Sequence, residues 1–292
     1  MIIARLNSGL GNQLFQYAAA KALAERHRTG LKLDLSWFQA HSYRKYQLHH
    51  FNISATPATR EELLRYNRNS RWLLQKDLWR AAGMKNRYLY YKEQRFDFDP
   101  EVLRCGPDTL IDGYWQSERY FKDIAPVIMR EFAGVTPLSE KSCEIKTRIM
   151  HTESVSVHIR RGDYLISGTG EKRIHGPLEN SYYDEAIACI EEKTRQPHLF
   201  IFSDDITWAK EHLHFRLPAS YVGHNDECTG FEDLILMSLC RHNIIANSTF
   251  SWWGAWLNRN PAIIVVSPAM WFHDVEMNSR TGDLIPRQWI RM

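Results

Sequence analysis

Two adjacent arginines at the end of a predicted strand are the side chains best suited to chemistry. The stretch "VSVHIRRGDY" predicts a buried strand that runs into Arg160 and Arg161. A guanidinium group presents a planar fork of N–H donors that matches two phosphate oxygens at once. Neighbouring residues of a strand point to opposite faces, so one arginine can bind an anion while the other fixes the loop. Asp163 can hold one of them, and the alternative is an Arg–Asp pair that only ties down a turn.

A cluster of hydroxyl groups follows another predicted strand. The strand "NIIA" runs into "NSTFSWWGAWLN", which begins a short predicted helix. Hydroxyls and backbone amides at a helix N-terminus form an anion site, although Ser248 or Thr249 can also serve as an ordinary cap. The spacing of the tryptophans at 252, 253 and 256 favours core packing for at least two of them.

Two carboxylates follow the predicted strand "HLFIF", in the stretch "SDD". Asp204 and Asp205 allow three interpretations: a metal site, recognition of a base that presents N–H donors, or helix capping. A guanine edge offers paired donors to one carboxylate, whereas a divalent metal requires further oxygen ligands. We therefore favour base recognition over metal binding.

The N-terminal stretch "NSGLGNQLFQY" follows a short apolar strand and opens a predicted helix. Gly9 and Gly11 fit the first two glycines of the dinucleotide-binding pattern, but Leu14 occupies the third position. Asp34, at the end of a second predicted strand "LKLDL", suits a carboxylate that holds a ribose hydroxyl. The pattern predicts a strand–turn–helix unit with Gly30 ending the helix, and leaves its ligand open.

Predicted strands and helices alternate through the second half, which favours βαβ units and a parallel sheet. Ligands of such sheets bind outside the carboxyl ends of the strands, and four successive ends here are polar. The chain is predicted to form two α/β domains, residues 1–150 and 151–292, with the boundary near residues 140 to 154. The helical pattern "YYDEAIACIEEK" predicts Ser181 as its cap and Tyr183, Ile187 and Ile190 on one face.

Composition excludes several classes of protein. The 292 residues are 44% hydrophobic and 24% charged, as in ordinary globular proteins, and the net charge of +3 is too small to indicate nucleic acid. The five cysteines are scattered, which predicts neither a zinc site nor a disulfide framework. No stretch approaches the ~18 apolar residues of a membrane span. With its apolar N-terminal run stopping at Arg5, the chain is expected to be soluble and cytoplasmic.

Residues 60–95 contain ten Lys or Arg and four Asp or Glu, interspersed with aromatic residues. Such a stretch can bind an anionic membrane surface. The alternative, which we favour, is a solvated helix face whose aromatic side chains turn into the core.

Five stretches together resemble the α1,2-fucosyltransferases, the bacterial branch in particular. They occur in the order of that family and span residues 6 to about 258: "GLGNQLFQYAAAKALA", "DGYWQSERYF", "VHIRRGDYL", "FSDD" and "NSTFSWWGAWLN". The resemblance implies a GT-B fold, with two Rossmann-like domains facing a central cleft. It also implies metal-independent, inverting transfer of L-fucose from GDP-β-L-fucose to the 2-hydroxyl of a terminal galactose. The acceptor implied is a polysaccharide of the O-antigen type, handled at the inner face of the membrane.

The resemblance also assigns roles to residues. The first domain would bind the acceptor and the second GDP-fucose; no cofactor is implied. Arg160 would contact the diphosphate, with Arg161 in support, and His158 and Asp204 would read the guanine. The phosphate and base pocket would be lined by Ser248, Thr249, Phe250 and Ser251. The turn facing the cleft from the first domain would be formed by Gly9, Gly11 and Asn12, and Asn12 would help to position the donor or the acceptor hydroxyl near the reacting carbon.

The general base stays open at the sequence level. An inverting transfer requires a group that accepts the acceptor's proton, and Asp163, Glu171, His175 and the leaving phosphate are the candidates. Two other functions also stay open: a nicotinamide-dependent oxidoreductase, which Leu14 disfavours, and a non-catalytic nucleotide- or sugar-binding protein. RNA binding is a more distant alternative, because no recognised module is present.

Overall fold

The computed structural model describes residues 1–41, 43–67, 90–161 and 176–292. The chain divides into two compact units, Met1–Val135 and Thr136–Met292. The helix Glu140–Met150 therefore belongs to the second unit, and the boundary expected from sequence, near residues 140 to 154, covers this helix.

A parallel sheet of five strands forms the centre of the first unit, in the order β3-β2-β1-β5-β4. All four strand pairs are parallel. The strands are β1 (Ile2–Arg5), β2 (Leu31–Asp34), β3 (Thr56–Pro57), β4 (Tyr90–Lys92) and β5 (Thr109–Asp112), and the helices are α1 (Leu10–His27), α2 (Ser36–Ala40), α3 (Arg60–Asn67) and α4 (Ala125–Glu131).

Helix α1 carries the predicted strand–turn–helix unit. Its N-cap is Gly9, in the extended region, and the helix begins at Leu10. Leu14 and Phe15 are fully buried. The helix ends through Arg28, which adopts a left-handed φ of 50°. The prediction that Gly30 ends the helix was therefore wrong by two residues, because Arg28 accepts the left-handed conformation instead.

The second unit contains a six-stranded parallel sheet in the order β11-β10-β9-β6-β7-β8. Its strands are β6 (Glu153–Ile159), β7 (Pro197–Ser203), β8 (Ala219–Val222), β9 (His242–Ile244), β10 (Val265–Ser267) and β11 (Ile290–Arg291), and its helices are α5 (Glu140–Met150), α6 (Asn180–Glu191), α7 (Ile206–His212), α8 (Gly230–Leu239), α9 (Thr249–Trp256) and α10 (Val275–Ser279). The predicted alternation of strands and helices, and the parallel sheet, are confirmed.

Successive side chains of β7 point to opposite faces of this sheet, and each face carries its own hydrophobic core. Leu199 and Ile201 pack in a cluster with the buried face of α6. Phe200 and Phe202 pack on the opposite face, with Leu236 of α8. The predicted apolar face of α6 is confirmed, but Ser181 is not its cap, because Glu179 occupies the N-cap position without a side-chain hydrogen bond. In the described ranges, no helix is long and apolar enough to cross a membrane.

Candidate functional site

The carboxyl ends of three adjacent strands bring most of the predicted site residues together. Strand β6 lies between β9 and β7. Arg160 and Arg161 directly follow β6, Asp204 follows β7, and residues 247–251 follow β9 by a short connection. Because all of these strands run parallel, their carboxyl ends meet at one edge of the sheet.

Asp204 holds both arginines. Its Oδ2 lies 3.1 Å from Nη1 of Arg160, and its Oδ1 accepts the backbone N–H of Arg161 at 2.9 Å. The register explains this arrangement, since Ile159 pairs with Ser203 and the next residues of both strands are therefore neighbours. The resemblance implied that Asp204 reads the guanine, and the sequence offered Asp163 as a partner for one arginine. In the structure, Asp204 contacts both arginines.

Arg161 points its guanidinium over an aromatic ring that the sequence analysis missed. Its Cζ lies 3.4 Å from the centre of the Trp208 ring, on α7. Asp205 caps this helix by accepting the backbone N–H of Trp208 at 3.1 Å. The capping interpretation is therefore correct for Asp205, and the signal for Trp208 was its position four residues after Asp204, on the first turn of the next helix.

His158 lies on the face of β6 that packs toward Phe250. It is 4% exposed, and the two ring centres are 5.7 Å apart. Burial, with a further contribution from the charge of Arg160, lowers the pKa of His158 to about 3, so the ring is neutral at physiological pH. Among the described residues, its Nδ1 has no hydrogen-bond partner although it is buried. A buried polar atom of this kind is suited to a hydrogen bond with a ligand.

The hydroxyl cluster caps helix α9. Ser248 accepts the backbone N–H of Phe250 at 3.3 Å, and the hydroxyl of Ser251 donates to the Ser248 carbonyl at 3.3 Å. Thr249 is the first helical residue. Trp252 and Trp253 are fully buried, so the prediction that at least two tryptophans belong to the core is confirmed.

Asp233 is a second residue that the sequence analysis missed. It lies in the first turn of α8, one turn before Leu236 and Met237, which share a cluster with Phe250. Its carboxylate accepts a 2.6 Å hydrogen bond from Nδ2 of Asn225, and burial raises its pKa to about 7. A carboxyl group whose pKa is raised by burial is a candidate functional group.

In the first unit, the glycine turn is built by buried glutamines. Nε2 of Gln16 donates to Oδ1 of Asn7 at 3.1 Å, and Nε2 of Gln13 donates to the carbonyl of Ser8 at 2.9 Å. Ser8 has a left-handed φ of 63°, a strained conformation for a non-glycine residue. Gly9 has open space where a Cβ would lie, and Gly11 is buried in the first turn of α1.

Asn12 is oriented from the loop after β5. Its Oδ1 accepts a hydrogen bond of 2.9 Å from Nε2 of Gln116, which connects two of the stretches that resemble the family. The two carboxylate oxygens of Glu93 accept the backbone N–H groups of Tyr114 (2.6 Å) and Trp115 (3.0 Å) in the same loop. Gly113 permits this contact, because a Cβ there would lie 2.4 Å from Cβ of Glu93.

Asp34 does not serve the role that the dinucleotide alternative requires. It is 1% exposed, its Oδ2 accepts Nε of Arg5 at 2.9 Å, and its Oδ1 accepts the N–H of Ser36 at 3.0 Å. Both carboxylate oxygens of Asp34 are therefore engaged in hydrogen bonds within the first unit.

Several sequence predictions lie outside the described residues. They concern Asp163, Glu171, His175 and most of the basic segment 60–95, of which 68–89 are not described. Within the ranges that the structure covers, no three His, Cys, Asp or Glu side chains form a group suited to a metal ion.

Comparison with known proteins gives consistent results along the whole chain. The family model for glycosyl transferase family 11 matches residues 1–292. The chain is 33% identical to an alpha-1,2-colitosyltransferase of Escherichia coli, over 100% of this chain and 99% of that protein. It is 34% identical to the O-antigen biosynthesis glycosyltransferase WbnK of Escherichia coli, over 98% and 99%.

Solved structures show the same fold. The structure of a mutant of Arabidopsis thaliana FUT1 in complex with GDP matches 90% of this chain and 69% of that chain, with a TM-score of 0.54 and 11% identity. Two relatives above 30% identity over nearly their full lengths, and a family model spanning every residue, agree with the resemblance found in the sequence. The chain is a glycosyltransferase and belongs to glycosyl transferase family 11, the α1,2-fucosyltransferase family.

Proposed function

We propose that this protein transfers L-fucose from GDP-β-L-fucose to the 2-hydroxyl of a terminal galactose on a glycan, with inversion and without a metal ion. Membership of family 11 and the pair of arginines fixed by Asp204 support the proposal. The GT-B arrangement of the two units, with the donor on the second, is part of the same proposal.

The chemistry follows from charge. As the bond between C1 of fucose and the diphosphate oxygen breaks, its electron pair stays on the diphosphate. The galactose O2 forms the new bond to C1 and loses its proton. Arg160 and the first amides of α9 would stabilise the developing negative charge, which is often the largest contribution to catalysis. The proton acceptor is Asp163, Glu171, His175 or the leaving phosphate.

For recognition of the guanine ring of the donor, we propose that His158 and Asp233 act as a pair. Nδ1 of His158 has no hydrogen-bond partner in the described part of the chain, and Asp233 carries a partly buried carboxyl one helical turn before Leu236 and Met237, whose cluster includes Phe250. A carboxylate accepts paired N–H donors of the kind that a guanine edge presents. Asp204 would act on the diphosphate indirectly, by orienting Arg160 and Arg161.

The test is a transfer assay with purified protein, EDTA, a panel of galactose-terminated disaccharides and either GDP-fucose or GDP-colitose. The second donor is included because one relative is a colitosyltransferase. GDP release that depends on acceptor, with the mass gain of one fucose and an α1,2 linkage by NMR, is the expected result. Turnover only with added Mg²⁺ or Mn²⁺ would refute metal independence. GDP binding without turnover would favour the non-catalytic alternative.

A further inference from the structure

An aromatic segment, Ser36–His50, follows β2 at the carboxyl edge of the first sheet; the structure describes all of it except residue 42. The rings of Trp37 and His41 stack at 4.3 Å with an angle of 9° between their planes. Tyr43 packs edge-on against Trp37 at 5.7 Å and is 64% exposed. These rings form a preorganised apolar surface with polar tips, which suits the apolar face of a sugar ring.

The aromatic segment is attached to the turn that carries Asn12. The side chain of Gln13 is fully buried and donates to the carbonyls of both Ser8 (2.9 Å) and Lys45 (2.8 Å). Its Oε1 accepts the backbone N–H of Gln47 at 3.0 Å. One side chain therefore fixes the aromatic segment relative to the first turn of α1, where Asn12 lies.

The segment also carries positive charge. Residues 35–60 contain Arg44, Lys45 and Arg60 and no Asp or Glu. Lys45 is exposed. The nearest preceding carboxylate, Asp34, is buried against Arg5. A glycan that stacks on these rings and carries an anionic group would therefore meet complementary charge.

We propose that the aromatic segment binds the acceptor glycan beyond its terminal galactose, and that it selects glycans carrying a phosphate or carboxylate there. Tyr43 and Trp37 contact sugar rings, and Lys45 contacts the anion. The inference rests on the proposed function, because it needs the acceptor to approach Asn12.

The test compares three acceptors with the same galactose terminus: a neutral disaccharide, its reducing-end phosphate, and a neutral disaccharide with an alkyl chain. KM for the phosphorylated acceptor should be about two- to fivefold below that of the neutral one, as expected for one exposed ion pair. Lys45→Gln should remove this difference, whereas Lys146→Gln, at an exposed lysine of the second unit, should keep it. Tyr43→Ala should raise KM for all three about tenfold, Tyr43→Phe much less, and KM for GDP-fucose should not change.

The outcomes separate the two proposals. Transfer at equal KM for neutral and phosphorylated acceptors would overturn the selection of anionic glycans and leave the fucosyltransferase intact. A preference only for the alkylated acceptor would show that the lipid chain is recognised, which also overturns it. Transfer to none of the three acceptors, with GDP-fucose bound, would count against the proposed function itself.

Discussion

The guanidinium carbon of Arg161 lies 3.4 Å from the centre of the Trp208 ring, on the helix that follows the neighbouring strand. Asp204 binds the backbone of Arg161 and the side chain of Arg160, so the two guanidinium groups, though not the two residues, have different partners. An aromatic ring holds one, and a carboxylate holds the other.

Trp208→Leu should therefore weaken donor binding through Arg161. A cation–π contact contributes about 1 kcal/mol at a partly exposed site, so we expect a roughly fivefold rise in the Kd for GDP, measured by calorimetry. Trp208→Phe keeps an aromatic face and should retain most of the affinity. Equal losses in both variants would show that the ring serves only to pack α7.

Arg160→Ala should lower kcat by ~10²-fold or more, since it removes a preorganised donor at the leaving diphosphate. Arg160→Lys keeps the charge but loses the planar fork, and should recover only part of the rate. Steady-state kinetics with GDP-fucose and a saturating acceptor measure both. A kcat near that of the wild type in Arg160→Ala would refute the assignment.

Asp233→Asn should reduce affinity for GDP more than affinity for inosine diphosphate, which lacks the 2-amino donor of guanine. Loss of a buried hydrogen-bonded acceptor costs about 1–3 kcal/mol. The two ligands should therefore bind the variant with similar Kd, while the wild type prefers GDP. An unchanged preference would place guanine recognition elsewhere.

Glu93→Gln should lower the transfer rate, because Glu93 fixes the loop from which Gln116 donates its hydrogen bond to Asn12. Burial raises the pKa of Glu93 to about 7, and Asp99 and Asp112 add to this effect. The ionised carboxylate accepts two backbone N–H groups, so activity should fall as pH decreases through about 7, and the variant should lose this part of the profile. In an Asn12→Ala background, Glu93→Gln should have little further effect; additive losses would indicate a general loss of stability instead.

His158 should make the free energy of unfolding of the second unit depend on pH. Its pKa is lowered to about 3 in the folded protein, so below the ordinary value of 6.5 the unfolded chain binds a proton that the folded chain excludes. This histidine should therefore lower the free energy of unfolding by about 1.4 kcal/mol per pH unit between pH 6 and pH 4. Denaturant titrations of the wild type and His158→Gln should diverge accordingly.

The sequence predicted the parts of the fold that have strong local patterns. The buried apolar runs of β6 and β7 and the amphipathic helix α6 each carry a period that identifies them. Strands such as β3 and β11 have two residues each, too few for any period, and the sheet geometry alone defines them.

The site was predicted in part. The types of Arg160, Arg161 and Ser248 indicated an anion site, but their partners depend on register. Pairing of Ile159 with Ser203 places Asp204 next to the arginines, which no local pattern reveals. Gln116 and Asn12 are 104 residues apart. Asp233 has the sequence position of an ordinary residue of a helix first turn, and its hydrogen bond from Asn225 and its burial distinguish it only in the folded protein.

In both sheets, the strand that comes first in the chain lies in the middle. Strand β1 is flanked by β2 and β5, and β6 by β7 and β9. Neither strand can be paired on both edges until much later residues have been synthesised. Ile2 of β1 pairs with Thr109 of β5, and Val155 of β6 pairs with His242 of β9. During translation, the apolar strands β1 and β6 therefore each have an unpaired edge until their later partner strand has been synthesised. Because such long-range parallel pairing is intrinsically slow and leaves strand edges exposed, we expect the nascent chain to be open to aggregation during these two intervals.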